Sequence, residues 1–199
     1  MPYDPRRHHR RSIRLQGYDY TSPGGYFVTL CVYQRRHLFG EVVEGEMQLT
    51  PYGRVVDTYW SRIPRHFPHV ELDAWVVMPD HFHGIIVIVE EMAGPIPPSE
   101  VGEGREIEPP FVTPADLRST SAQPRPHGAP PGSLGAIVGN FKSISTRRIN
   151  RMRHTPGERV WLRNYWERII RDERAYHAIR NYILNNPARW EEKHYPDAP

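Results

Sequence analysis

The chain has 199 residues, 38% hydrophobic and 25% charged, enough for one domain with its own core and room for an insertion. A single cysteine, Cys31, excludes an internal disulfide and any cysteine-based zinc site. No apolar run reaches the roughly 18–20 residues that span a bilayer, and none follows the basic N-terminus as a signal peptide requires, so a cytoplasmic protein without a membrane partner is expected. The net charge is +3, the pI is about 9.1, and the basic residues are clustered. Clustering points to a polyanionic partner, nucleic acid ahead of a membrane surface, with a solvated basic face as the plain alternative.

Residues 1–20 read as a flexible basic arm carrying Arg6, Arg7, Arg10, Arg11 and Arg14. A strand is expected over 25–34, where β-branched and aromatic residues run together and Cys31 reads as an inert core thiol. Residues 41–49 suit a short hairpin turning at Glu44-Gly45. Thr50-Pro51 then opens a helix, since Thr caps well and Pro is tolerated at the first helical position. Val55, Val56, Tyr59, Trp60 and Ile63 continue it at helical spacing up to Pro64. Strands follow over 70–78 and 82–90, split by Pro79-Asp80. The second is nearly all β-branched, as a strand buried on both faces should be.

Residues 91–132 change texture. Ten prolines interleaved with Gly, Ser and charge leave too little apolar surface to offset ordering entropy, so this reads as a mobile insertion within one domain spanning 21–190. Ser133 caps a helix over 133–153 with an apolar stripe and a second side loaded with Lys142, Arg147, Arg148, Arg151 and Arg153. A short extended piece at 160–163 and the segment 165–171 lead to a last helix over 172–186, ended by Pro187; residues 191–199 read as a tail. The order is strand, helix, two strands, helix, strand, helix. That suits an α+β ferredoxin-like, split-βαβ sandwich: an antiparallel sheet with helices on one face.

The sharpest chemical signal is Met78-Pro79-Asp80-His81-Phe82-His83. Residues i and i+2 of a strand share a face, roughly 6.5–7 Å apart, so His81 and His83 project together while Phe82 enters the opposite layer. Two imidazoles side by side can share one divalent metal, given a third ligand. On the last helix, Tyr176 falls on the apolar stripe with Ile179 and Ile183. Tyr182 sits off it, on a face with Ala178 and Asn186, whose carboxamide oxygen offers that ligand.

The run Ala74-Trp75-Val76-Val77-Met78-Pro79-Asp80-His81-Phe82-His83-Gly84 resembles the HUH motif region of the single-tyrosine transposases, more narrowly the REP-associated tyrosine transposases. The resemblance extends to Tyr26-Phe27-Val28-Thr29, to Phe141-Lys142-Ser143, to the run from Trp161 to Arg171 and to Asn181-Tyr182-Ile183-Leu184-Asn185-Asn186-Pro187. Leu162 departs from it, standing where many relatives carry Gln, and the insertion is long. The resemblance implies a nucleophilic tyrosine at Tyr182, a Mg²⁺ or Mn²⁺ cofactor on His81, His83 and Asn186, and cleavage and rejoining of single-stranded DNA through a 5′-phosphotyrosine. It also implies hairpin or palindromic-repeat DNA as partner, for a monomer or a homodimer.

The arm arginines with Lys142, Arg147, Arg148 and Arg151 are the expected phosphate contacts. Tyr33, Trp161, Tyr165 and Trp166 could stack unpaired bases, with core packing the alternative for both tryptophans. Two other functions fit the same residues: a non-catalytic DNA-binding protein on this fold, and a metal hydrolase that uses the His pair and water.

Overall fold

The structure, a computed structural model, describes residues 14–90 and 128–194. Arg6, Arg7, Arg10, Arg11 and most of the proline-rich insertion lie outside the described residues. Alternation in strand β1 (Gly24–Cys31) sends Tyr26, Val28 and Leu30 to one side, none more than 1% exposed, and Phe27 and Thr29 to the other. Cys31 closes the strand; its thiol is buried, which raises its pKa above the ordinary value. A one-turn 3-10 segment, Tyr33–Arg35, and the hairpin β2 (Gly40–Val43)–β3 (Glu46–Leu49) follow. The hairpin turns at Glu44-Gly45, both with positive φ.

Helix α1 (Pro51–Ser61) starts as expected: the Gly53 N–H donates to Thr50 Oγ1 at 3.1 Å, and proline occupies the first turn. A short α2 (Ile63–His66) includes Pro64 instead of stopping at it. Strands β4 (Val70–Val77) and β5 (His81–Ile88) come next. Helix α3 (Leu134–Arg153) is capped by Ser133, whose Oγ accepts from the Ala136 N–H. Strand β6 (Trp166–Ile170) and helix α4 (Glu173–Leu184), capped by Asp172, complete the domain with α5 (Asn186–His194). Pro187 therefore ends one helix and opens another, so the expected tail from 191 is helical as far as His194.

The sheet order is β4-β5-β1-β6, antiparallel throughout. Strand β5 separates β1 from β4, and β1 separates β5 from β6, so both helical crossovers are of the split-βαβ kind. On one face α1 and α3 bury the main core. Phe82 meets Trp60 at 4.4 Å between ring centroids and Phe141 at 5.9 Å, with Trp161 packed behind. Gly84 is the strand residue under Trp60: a Cβ there would lie 2.5 Å from its Cζ2.

The sandwich expected from the sequence thus forms, but not all helices lie on one face. Helix α4 covers the other side of the sheet, setting Ile179 and Ile183 against Ala74 and Ile85. It is pinned at a register shift in β4 between Leu72 and Trp75. There Asp73 accepts from the Tyr176 hydroxyl at 2.7 Å and from Arg180 Nε at 3.4 Å. The two anchors tie α4 most closely to β4.

Candidate functional site

Register alone builds the floor of the site. Thr29 of β1 faces His83 of β5 across one ladder step and Trp166 of β6 across the next, so these three side chains share the α4 face of the sheet. His81 joins them two residues before His83, with ring centroids 4.7 Å apart, while Phe82 enters the main core between them. Both histidines are buried, at 8% and 5% exposure.

Each imidazole is held through Nδ1. His81 Nδ1 donates to Asp80 Oδ1 at 2.6 Å, and His83 Nδ1 lies 2.8 Å from Thr29 Oγ1. Phe27 stacks against the His83 ring at 5.4 Å. Burial, with smaller contributions from His81 and Arg35, lowers the His83 pKa to about 3, so the ring is neutral at physiological pH. For Asp80, burial acts to raise the pKa, but hydrogen bonding and charge from His81, Arg35 and His37 leave it below the ordinary value. Arg35 reaches Asp80 at 3.3 Å from a backbone in which Gln34 and Arg35 both have positive φ, 61° and 54°. Two successive non-glycine residues in that region are costly, and such strain concentrates at functional sites.

Helix α4 delivers the tyrosine. Its Ile179–Ile183 stripe packs on the sheet, and Tyr182, one residue before Ile183, swings to the end of the helix over the histidines. Tyr182 Oη lies 3.4 Å from His83 Nε2, and the phenol is 38% exposed. Asn186 is buried at the start of α5, after the helix break at Asn185. It is therefore not one turn along the same helix, as the sequence suggested, but is brought back by the break. Arg189 places its guanidinium 5.8 Å from the centroid of the Tyr182 ring, and Trp190 packs against His81 at 5.4 Å. Thr29, Arg35, His81, His83, Tyr182, Asn186, Arg189 and Trp190 line one open pocket of about 300 Å³.

His81, His83, Tyr182 and Asn186 are thus brought together; the predicted DNA-contacting residues are not. Helix α3 lies on the opposite face of the sheet from the pocket, with Arg147, Arg148 and Arg151 exposed on its outer side. Lys142 differs from the expected phosphate contact: its ammonium donates to the Leu162 and Arg163 carbonyls at 2.6 and 2.9 Å. Burial brings its pKa down to about 8. Arg14 is engaged too, donating to the Tyr165 hydroxyl at 3.0 Å and pairing with Glu167 at 3.6 Å. Of the candidate stacking residues, Trp161 is core, 5% exposed, its indole N–H donating to Ser145 Oγ at 3.0 Å. Trp166 is 63% exposed.

Sequence reading missed Thr29, Arg35, Arg189 and Trp190. Thr29 could have been found from its place two residues after Phe27, but only once the register with His83 was known. Arg189 and Trp190 lie beyond Pro187, where the sequence pattern ends the last helix.

Among the described residues, no three His, Cys, Asp or Glu side chains gather as a ligand set. A cation here would rest on the His pair and the Asn186 amide. The donors suit it: with Nδ1 of each ring engaged by Asp80 or Thr29, the Nε2 atoms are the ones that would coordinate, the arrangement that metal-binding histidines use.

A Haemophilus influenzae protein described only as uncharacterized is 39% identical over 190 residues, covering 96% of this chain and 94% of its own. The chain belongs to that protein's family. No family model matches it. Among solved structures, a REP-associated tyrosine transposase bound to a REP hairpin aligns over 89% of this chain and 74% of its own, at a TM-score of 0.53 and 17% identity. The chain therefore has a transposase-like fold. No helix among the described residues is long and apolar enough to cross a membrane.

Proposed function

We propose that this protein is a metal-dependent enzyme that cuts and rejoins single-stranded DNA at hairpins or palindromic repeats, with Tyr182 as nucleophile. The observation that carries the reading is Tyr182 Oη at 3.4 Å from His83 Nε2, over a buried histidine pair in an open pocket. The fold shared with a REP-associated tyrosine transposase supports it, and that protein is bound to a REP hairpin.

A divalent cation, Mg²⁺ or Mn²⁺, held by His81, His83 and Asn186 would polarise the scissile phosphate and offset charge building on its oxygens. Asp80 and Thr29 fix the two imidazoles, and Phe27 and Trp190 wall them on either side. Arg35 and Arg189, both lining the pocket, supply guanidinium donors for the non-bridging phosphate oxygens. Tyr182 Oη attacks phosphorus and loses its proton to solvent through the open mouth. The bond from phosphorus to the 3′ oxygen breaks, that oxygen takes up a proton, and the 5′ phosphate stays on the tyrosine. Because the phosphotyrosine keeps the bond energy of the cleaved link, a second 3′-hydroxyl can displace the tyrosine and join strands.

Incubating the protein with end-labelled single-stranded hairpin DNA and Mg²⁺ or Mn²⁺ tests this. A denaturant-resistant protein–DNA adduct, lost in Tyr182→Phe, is expected. Cleavage that survives Tyr182→Phe without an adduct would replace the reading with water-based hydrolysis. Tight binding without cleavage by the unaltered chain would leave only a DNA-binding protein.

A further inference from the structure

Strand β6 is an edge of the sheet, and it carries an aromatic side chain that packs in neither layer. Trp166 is 63% exposed and lies on the α4 face, directly across from Thr29, whose other neighbour across the ladder is His83. Neighbouring strands are about 4.8 Å apart, so two ladder steps put Trp166 roughly 10 Å from His83, within reach of a nucleotide next to one held in the pocket. Helix α4 takes its polar anchors on β4, through Tyr176 and Arg180 on Asp73, and at the other edge of the sheet it leaves Trp166 uncovered.

Arg168, two residues along, projects to the same side of β6 as Trp166 and is exposed; Arg171 follows, also exposed. Neither is ion-paired among the described residues. The other tryptophan of this segment, Trp161, is buried with its N–H satisfied, so the exposure of Trp166 does not reflect general looseness. An indole left in water at a free strand edge, flanked by unpaired guanidinium groups and continuous with the pocket floor, matches an unpaired base with its phosphates.

We infer that Trp166 is a stacking platform for one unpaired nucleobase adjoining the phosphate in the Tyr182 pocket, with Arg168 taking a flanking phosphate. This rests on the DNA reading above and adds a residue that positions the strand. It makes single-strandedness beside the cleavage point a requirement of binding, since a paired base presents no free face to the indole.

Binding and chemistry can be tested separately. The full-length Tyr182→Phe chain is titrated, by fluorescence anisotropy, with labelled oligothymidylate and with an abasic strand of the same length. The parent chain should prefer oligothymidylate, and Trp166→Ala should weaken that binding about fivefold to a hundredfold and abolish the preference. Trp166→Phe should retain most of it. The salt dependence should be unchanged in Trp166→Ala and flatter by about 0.7 in Arg168→Gln.

A base preference that persists in Trp166→Ala overturns the inference, as does an equal loss on both strands. Adduct formation by the Tyr182-intact chain is measured alongside. An adduct without any Trp166-dependent base preference sinks the platform alone, whereas the preference without an adduct sinks the tyrosine chemistry alone. Binding to neither strand overturns the platform, and the adduct assay then decides the tyrosine chemistry by itself.

Discussion

Tyr182 and His83 of one and the same chain meet at 3.4 Å, Oη to Nε2. Helix α4 holds its tyrosine over the histidines through Ile179 and Ile183, and Asp73 pins it from the neighbouring strand. The four candidate residues His81, His83, Tyr182 and Asn186 therefore come together within a single polypeptide. Mixing a Tyr182→Phe chain with a His83→Ala chain should not restore adduct formation. Recovery toward about a quarter of wild-type activity, as random pairing of the two chains gives, would show instead that the tyrosine works on a partner's histidines.

Thr29 orients His83 from the neighbouring strand at 2.8 Å. Thr29→Val keeps the shape but removes the hydroxyl, and losing a partner of a ligating histidine typically costs ten- to hundredfold in metal affinity. Titration calorimetry with Mn²⁺ should show that loss, and Thr29→Ser should recover most of it. Equal affinity in all three proteins would take Thr29 out of the site.

The buried, neutral His83 has a consequence for acid stability. Its pKa is about 3 in the fold, against about 6.5 in an unfolded chain. Between those values the unfolded state binds a proton that the folded state does not, so stability falls as pH drops from about 6.5 toward 3. The slope from this one residue is about 1.4 kcal/mol per pH unit. Denaturant melts from about pH 7 to pH 5 should show it, and His83→Gln should be flatter. Parallel curves would contradict the burial argument.

Gly84 follows the histidine pair because Trp60 lies on it. A Cβ there would stand 2.5 Å from Trp60 Cζ2 and 2.9 Å from Phe82 Cε1. Gly84→Ala must displace a fully buried tryptophan, and overpacking of this kind costs about 1–3 kcal/mol. Urea denaturation should find that loss, while Gly139→Ala, with nothing within 4 Å of its Cβ, should not share it.

The basic face of α3 is separated from the pocket by the sheet. Replacing Arg147 and Arg148 with Gln should lower the salt dependence of DNA binding by about 0.7 per lost single-strand contact. The effect should appear only with DNA long enough to pass round the sheet. Lys142→Met should leave the salt slope alone, since its ammonium is occupied by the Leu162 and Arg163 carbonyls.

Much of the architecture was readable because each element carries its own local signal. Thr50-Pro51, Ser133 and Asp172 mark helix starts by capping chemistry, and the period of two in His81-Phe82-His83 sorts pocket-facing from core-facing side chains without any knowledge of the fold. What was not readable depends on pairing between distant segments. The face chosen by α4 is set by Asp73 at a strand irregularity, which no local pattern announces. Lys142 and Arg147 look alike as letters on one helix, yet the first points at a loop some twenty residues on and the second at water. Helical spacing places Asn186 one turn along from Tyr182, whereas the structure sets it at the start of the next helix.

Cys31 closes the first strand with a thiol that is 6% exposed and harder to deprotonate than a free one. Maleimide and similar reagents attack the thiolate, so the native sulfur should stay silent toward them while the fold is intact. A cysteine introduced on the exposed side of α3 or on β6 can then carry a fluorophore as the sole labelled position. The wild-type background already suits single-molecule observation of strand capture, with no need to remove its own thiol first.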